Sequence, residues 1–75
     1  MASRIFGIGG MNGAIRARRV LGRAGVEAEV VKIDQKYAVS GCQYGVRFAE
    51  ERLYDVVRAL SLAAIPYHAY GESDG

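Results

Sequence analysis

The chain contains a single thiol. Cys42 stands in the run Ala38-Val39-Ser40-Gly41-Cys42-Gln43-Tyr44-Gly45-Val46-Arg47-Phe48, after small residues and at the mouth of an alternating stretch. The thiolate is the reactive form of cysteine, and a helix N-terminus or a cationic side chain favours it. Gly41 leaves room beside the sulfur for a partner's sulfur or a transferred atom, and Ser40 could donate a hydrogen bond. A cysteine in phase with Tyr44, Val46 and Phe48 could also serve as a small core residue. Its place in a glycine-containing loop favours a reactive group presented on a scaffold.

The scaffold can be read from the flanking pattern. Arg4-Ile5-Phe6-Gly7-Ile8 is a short run of β-branched and aromatic residues closed by Gly9 and Gly10, which predicts a first strand and an immediate turn. A helix is expected from about Asn12, a good N-cap type, to Ala24, with Met11, Ala14, Ala17, Leu21 and Ala24 on one face and Arg16, Arg19 and Arg23 on another. Gly25 suits its C′ position. Residues 26–33 (Val-Glu-Ala-Glu-Val-Val-Lys-Ile) form a second strand whose alternation breaks at Val30-Val31, where a bulge or a twisted edge would fit. A polar loop over residues 34–41 leads into a third strand, residues 42–48, with Tyr44, Val46 and Phe48 on one face and Gly45 and Arg47 on the other. Glu50 and Glu51 suit the positive end of a second helix, whose apolar stripe is Leu53, Val56, Val57, Leu60 and Ala64, up to Pro66. Tyr67-His68-Ala69-Tyr70 is a short last strand.

The halves resemble each other at an offset of 39 residues, Arg19-Val20-Leu21-x-x-Ala24-Gly25-Val26 against Arg58-Ala59-Leu60-x-x-Ala63-Ala64-Ile65. Each half is a strand, a helix and a strand. The α+β class follows, and the order βαββαβ predicts a ferredoxin-like fold: a four-stranded antiparallel sheet in the order 4-1-3-2 with both helices on one face. The start of strand three then meets the end of strand one, so Cys42 and the Gly9–Gly13 turn should share an edge. There Gly9, Gly10, Asn12 and Gly13 would offer close backbone approach and the unpaired N–H groups of the first helix. Arg16 and Lys36 would add positive charge, and Tyr44 could wall the thiol.

Over roughly residues 4–70 the chain resembles the selenium/sulfur carrier-like proteins. The resemblance rests on the helix exit Ala24-Gly25-Val26, on Ser40-Gly41-Cys42 leading into a strand that ends Val46-Arg47-Phe48, and on the second exit Ala64-Ile65 before an aromatic residue. Gln43 stands where members of that family often carry glycine. The resemblance implies a cysteine, here Cys42, that accepts sulfur or selenium as a persulfide or perselenide and passes it to a partner. Donor and acceptor proteins are then the expected partners, with no metal or organic cofactor, and the chain is an accessory to enzymes and not itself one.

Composition bounds these readings. Seventy-five residues, 51% hydrophobic with one proline, allow one domain over residues 1–70 and a flexible tail over residues 71–75. No apolar run is long enough to span a bilayer and the N-terminus lacks a signal-peptide layout, so a cytoplasmic protein without membrane contact is expected. One cysteine excludes an internal disulfide and a cysteine-rich metal site, so any redox partner must come from outside. A net charge of +2 is too mild to demand a nucleic acid.

Competing readings are weaker. Gly7-Ile8-Gly9-Gly10-Met11-Asn12-Gly13 lacks the third glycine of a dinucleotide fingerprint, and the chain is too short for a Rossmann domain. An RNA-recognition motif shares the strand order, with echoes in Ile5-Phe6 and Tyr44-Gly45. It needs stacking aromatics on the open face, where Gly45 and Arg47 stand instead. The Gly41–Phe48 run is also similar to the acylphosphatase phosphate loop, which joins the first strand to the first helix and so occupies another position. His68 has no companion histidine, and a structural or exposed role outweighs metal binding. The arginines of the first helix read as a solvated face, with docking of an acidic partner the next choice. Exposed sheet edges invite homo-oligomers. The chief alternative to a carrier is a non-catalytic interaction or regulatory module with Cys42 in its core.

Overall fold

The computed structural model describes residues 2–33 and 43–73, with side chains described as far as Ala69. Cys42, Ser40, Gly41 and Lys36, and with them the whole loop read over residues 34–41, lie outside the described residues. In chain order the elements are β1 (Ser3–Gly9), α1 (Met11–Arg23), β2 (Ala28–Lys32), β3 (Tyr44–Ala49), α2 (Leu53–Leu62) and β4 (His68–Ser73). The strands form one antiparallel sheet in the order β2-β3-β1-β4, which is the order read from the sequence.

Side-chain alternation decides which face of the sheet is covered. Phe6 pairs with Val46 and Arg4 with Phe48, while Ala28 and Val30 of β2 lie opposite Phe48 and Val46. Partners in an antiparallel pair share a face, so Phe6, Val46 and Phe48 collect on one side and Ile5, Gly7, Gly45 and Arg47 on the other. The first set is buried, and α1 contributes Ala17 and Leu21 to it, α2 contributes Val56 and Leu60, and Val26 and Ile65 close its ends. The alanines of α1, spaced one turn apart, let that helix lie close to the strands. The Phe6 ring meets Phe48 edge-on at 4.9 Å and stacks on Tyr67 at 4.6 Å. Each such pair adds about 0.5–1.5 kcal/mol beyond area burial.

The internal repeat is present in the backbone. At the end of α1 the Val26 N–H donates to the Leu21 carbonyl at 2.9 Å and the Gly25 N–H to Gly22 at 3.1 Å; at the end of α2 Ile65 donates to Leu60 at 2.9 Å and Ala64 to Ser61 at 3.1 Å. These are two copies of one left-handed helix exit. Gly25 has φ +80° and its counterpart Ala64 has φ +56°, a conformation that glycine accepts freely and alanine does not.

Several boundaries differ from the sequence reading. α1 starts at Met11 with Gly10 as its N-cap, so Asn12 lies inside the first turn, because Gly9 at φ +140° turns the chain directly into the helix. Met11 is 49% exposed and Ala24 is exposed, so the buried stripe of α1 is Ala14, Ala17 and Leu21. β2 is shorter than read, since Val26 belongs to the helix exit. The pairing of β2 with β3 runs unbroken through Val30 and Val31, and the irregularities fall in the two pairings of β1: β1 carries the extra residue between Gly7 and Gly9 against β3, and β4 carries it between Ala69 and Glu72 opposite Arg4 and Phe6.

α2 is preceded by one 3₁₀ turn over Glu50–Arg52, where Glu50 donates its N–H to the Ala2 carbonyl at 3.1 Å and pairs its carboxylate with Arg4 at 2.9 Å. β4 continues to Ser73, so three residues of the segment read as tail belong to the strand, and Ser73 and Glu72 pair with Ser3 and Arg4. Among the described residues no helix is long and apolar enough to cross a membrane.

Candidate functional site

The edge singled out by the sequence is built from the end of β1, the start of β3 and the first turn of α1. β1 stops being regular at the bulge between Gly7 and Gly9, and Gly9 comes opposite Tyr44. Gly9 holds φ +140°, which a side chain would strain, and it turns the chain so that Gly10 caps α1 with its backbone extended.

One residue ties this corner together. The Gln43 N–H donates to the Gly9 carbonyl oxygen at 3.1 Å, and the Gln43 carbonyl accepts the Ile33 N–H at 2.8 Å. Gln43 is therefore held on both sides, by the end of β1 and by the residue that follows β2. It is bonded to Cys42 in sequence, so the residue after the thiol is anchored at the turn that opens α1.

The mouth of α1 is electrostatically simple. The Ala14 N–H donates to the Gly10 carbonyl at 3.1 Å, which begins the helical ladder. The N–H groups of Met11, Asn12 and Gly13 precede it, with no side-chain cap and no acidic residue in the first turn. Among the described residues no side chain caps these three donors, and the first turn itself sets no carboxylate at the positive end of the helix dipole. Such a corner favours an anion, whether a thiolate, a persulfide or an external oxyanion. Asn12 is exposed, and Gly13 is packed so that a Cβ there would lie 3.4 Å from the Ile8 side chain.

Of the residues read as site members, Gly9, Gly10, Asn12, Gly13 and Tyr44 come together at this corner. Arg16 follows in α1 and is exposed, while Tyr44 is half-buried opposite Gly9. Cys42, Ser40 and Gly41 lie outside the described residues. Two features escaped the sequence reading. Gln43 acts through its backbone, which residue type does not advertise. Gly45 is buried, and a Cβ on it would overlap the Phe6 carbonyl oxygen and lie 3.0 Å from the Phe6 carbonyl carbon and 3.1 Å from Gly7 Cα. A glycine inside an alternating strand is the signal that could have found it.

Among the described side chains, the sheet face away from the helices presents Ile5, Glu29, Val31, Arg47 and His68, with Arg47 paired to Glu29, and no aromatic ring. Phe6, Phe48 and Tyr67 are all engaged on the other face. His68 is exposed opposite Gly7, and no group of three metal-ligating side chains occurs among the described residues. No family model, no curated protein and no solved structure matches the chain.

Proposed function

We propose that the chain is a small carrier of sulfane sulfur or selenium, built on a ferredoxin-like scaffold, with Cys42 as the acceptor. The observation that carries this reading is the double backbone anchoring of Gln43, to Gly9 at 3.1 Å and from Ile33 at 2.8 Å, beside the uncapped start of α1. The strand order, the repeated strand-helix-strand halves and the shared core of both helices support the ferredoxin-like description.

In the first step the Cys42 thiolate attacks the terminal sulfur of a donor persulfide. A bond forms between the two sulfurs, the donor's own S–S bond breaks, and the donor leaves as a thiolate. Cys42 then carries a persulfide anion, and the donors at the mouth of α1 supply hydrogen bonds for such a charge. In the second step a nucleophile on the acceptor attacks the terminal sulfur and Cys42 returns as thiolate. Selenium at the same oxidation level follows the same exchange from a donor perselenide. Neither step requires a metal or an organic cofactor, and both belong in a reducing compartment such as the cytoplasm.

Intact-mass measurement tests this directly. After incubation with a cysteine desulfurase and cysteine, the chain should gain one sulfur atom that a thiol reductant removes and that Cys42→Ala does not acquire. Absence of the adduct, with a Cys42 slow to alkylate in the folded state, would indicate an interaction module with a core cysteine.

A further inference from the structure

α1 carries Arg16, Arg18, Arg19 and Arg23 and no acidic residue. All four are exposed, and among the described residues none has an ion-pair partner. Arg16, Arg19 and Arg23 follow one another at three and four residues, so they form one stripe along the solvent side. The helix alone carries four positive charges against a net +2 for the chain, which leaves the remainder net negative.

α2 is the internal control for what a surface helix in this fold requires. The 39-residue offset puts Asp55 at the place of Arg16, Arg58 at the place of Arg19 and Leu62 at the place of Arg23. α2 thus mixes signs, and Asp55 pairs with Arg52 at 3.0 Å. The arginine stripe is therefore not a demand of the scaffold. Like charges one turn apart repel, so the stripe itself works against helix stability. Arginine at every one of the four positions suits forked recognition of carboxylates.

We infer that the arginine stripe of α1 docks an acidic protein surface whose carboxylates are spaced about one helical turn apart. The shape of the charge distribution favours a protein over a nucleic acid. Glu27 shares a shallow depression with Arg18 at the C-terminal end of α1, and Glu27 and Glu51 line the next one. A continuous polyanion running past the stripe would meet a remainder of the chain that is net negative, whereas a bounded acidic patch would not. Among the described side chains the sheet face away from the helices carries no aromatic ring on which single-stranded bases could stack.

The test uses the full chain carrying Cys42→Ala, so its outcome is independent of any chemistry at the thiol. The labelled protein is titrated by NMR with a synthetic helical peptide bearing three glutamates one turn apart, and separately with a short oligouridylate. Peptide binding should perturb the Arg16, Arg19 and Arg23 signals and weaken with salt. Replacing Arg16→Glu together with Arg19→Glu should weaken it about tenfold or more. The same double variant should melt no lower than its parent, because it replaces the Arg19–Arg23 repulsion with a carboxylate one turn before Arg23. A peptide with lysines in place of glutamates should bind that variant. The inference is overturned if the glutamate peptide leaves α1 unperturbed, if oligouridylate binds the stripe more tightly, or if the double variant is destabilised.

Discussion

Gly45 is the second residue of β3, two residues from the anchored Gln43, and its substitution by alanine isolates how closely the two central strands approach. The added Cβ overlaps the Phe6 carbonyl oxygen and lies 3.0 Å and 3.1 Å from two further backbone atoms of β1. Backbone has no rotamer with which to yield, so β1 and β3 must separate at the Gly7–Gly45 pair. Separation weakens about two ladder hydrogen bonds, at a net of about 1 kcal/mol each. It also displaces Phe6 and Val46, which are 3% and 0% exposed, for which overpacking costs of about 1–3 kcal/mol are typical. The sum, about 3–5 kcal/mol, is comparable with the whole stability of a domain this size, about 4–11 kcal/mol. Urea denaturation followed by circular dichroism should lower the midpoint by about 3 M or more, with a slope of about 1 kcal/mol/M. Gly22→Ala is the control: nothing lies within 4 Å of its added Cβ, and it should stabilise the helix by about 0.5–1 kcal/mol. If Gly45→Ala stays within about 1 kcal/mol of the parent, the close approach of β1 and β3 is wrong.

The two helix exits make an opposed pair of predictions: Ala64→Gly should raise stability by up to about 1 kcal/mol, and Gly25→Ala should lower it by about 1 kcal/mol, both read from denaturant midpoints. Equal effects of either sign would deny that the exits are equivalent. Leu60→Ala removes a side chain with no exposed surface from the junction of the helices with the sheet and should cost about 2–5 kcal/mol, while Tyr54→Ala, 75% exposed on the same helix, should stay within about 0.5 kcal/mol. The exposed Glu29–Arg47 pair should contribute less than about 1 kcal/mol in a double-mutant cycle, and that little should fade with salt.

Much of the architecture is legible in period and punctuation. Val46 and Phe48 alternate with Gly45 and Arg47, and that period of two puts the aromatic on the core side. Val56 and Leu60 are one turn apart and face inward together, and each helix exit is visible in Ala24-Gly25-Val26 and in its echo Ala63-Ala64-Ile65. Strand order follows from topology. What cannot be read depends on backbone. The bulges, one in β1 and one in β4, have no side-chain signature beyond scattered glycines, and the pattern points instead to Val30-Val31, where two consecutive apolar residues merely occupy opposite faces. Asn12 has the better N-cap side chain, but the conformation of Gly9 begins the helix earlier, with Gly10 as its cap. At the candidate corner the meeting of Gly9 with the start of β3 follows from antiparallel pairing, whereas the part played by Gln43 is made by its N–H and carbonyl and would be the same for another residue type.

The central claim is that the fold presents Cys42 as a reactive thiol. Its most direct measurement is the rate of alkylation of Cys42 by a neutral reagent at neutral pH, compared between the folded chain and the same chain in urea. A thiol presented beside the uncapped start of α1 should react faster in the folded chain than in the unfolded one, and Arg16→Glu should slow it. A folded-state rate far below the unfolded rate would place the sulfur in the core and contradict the account.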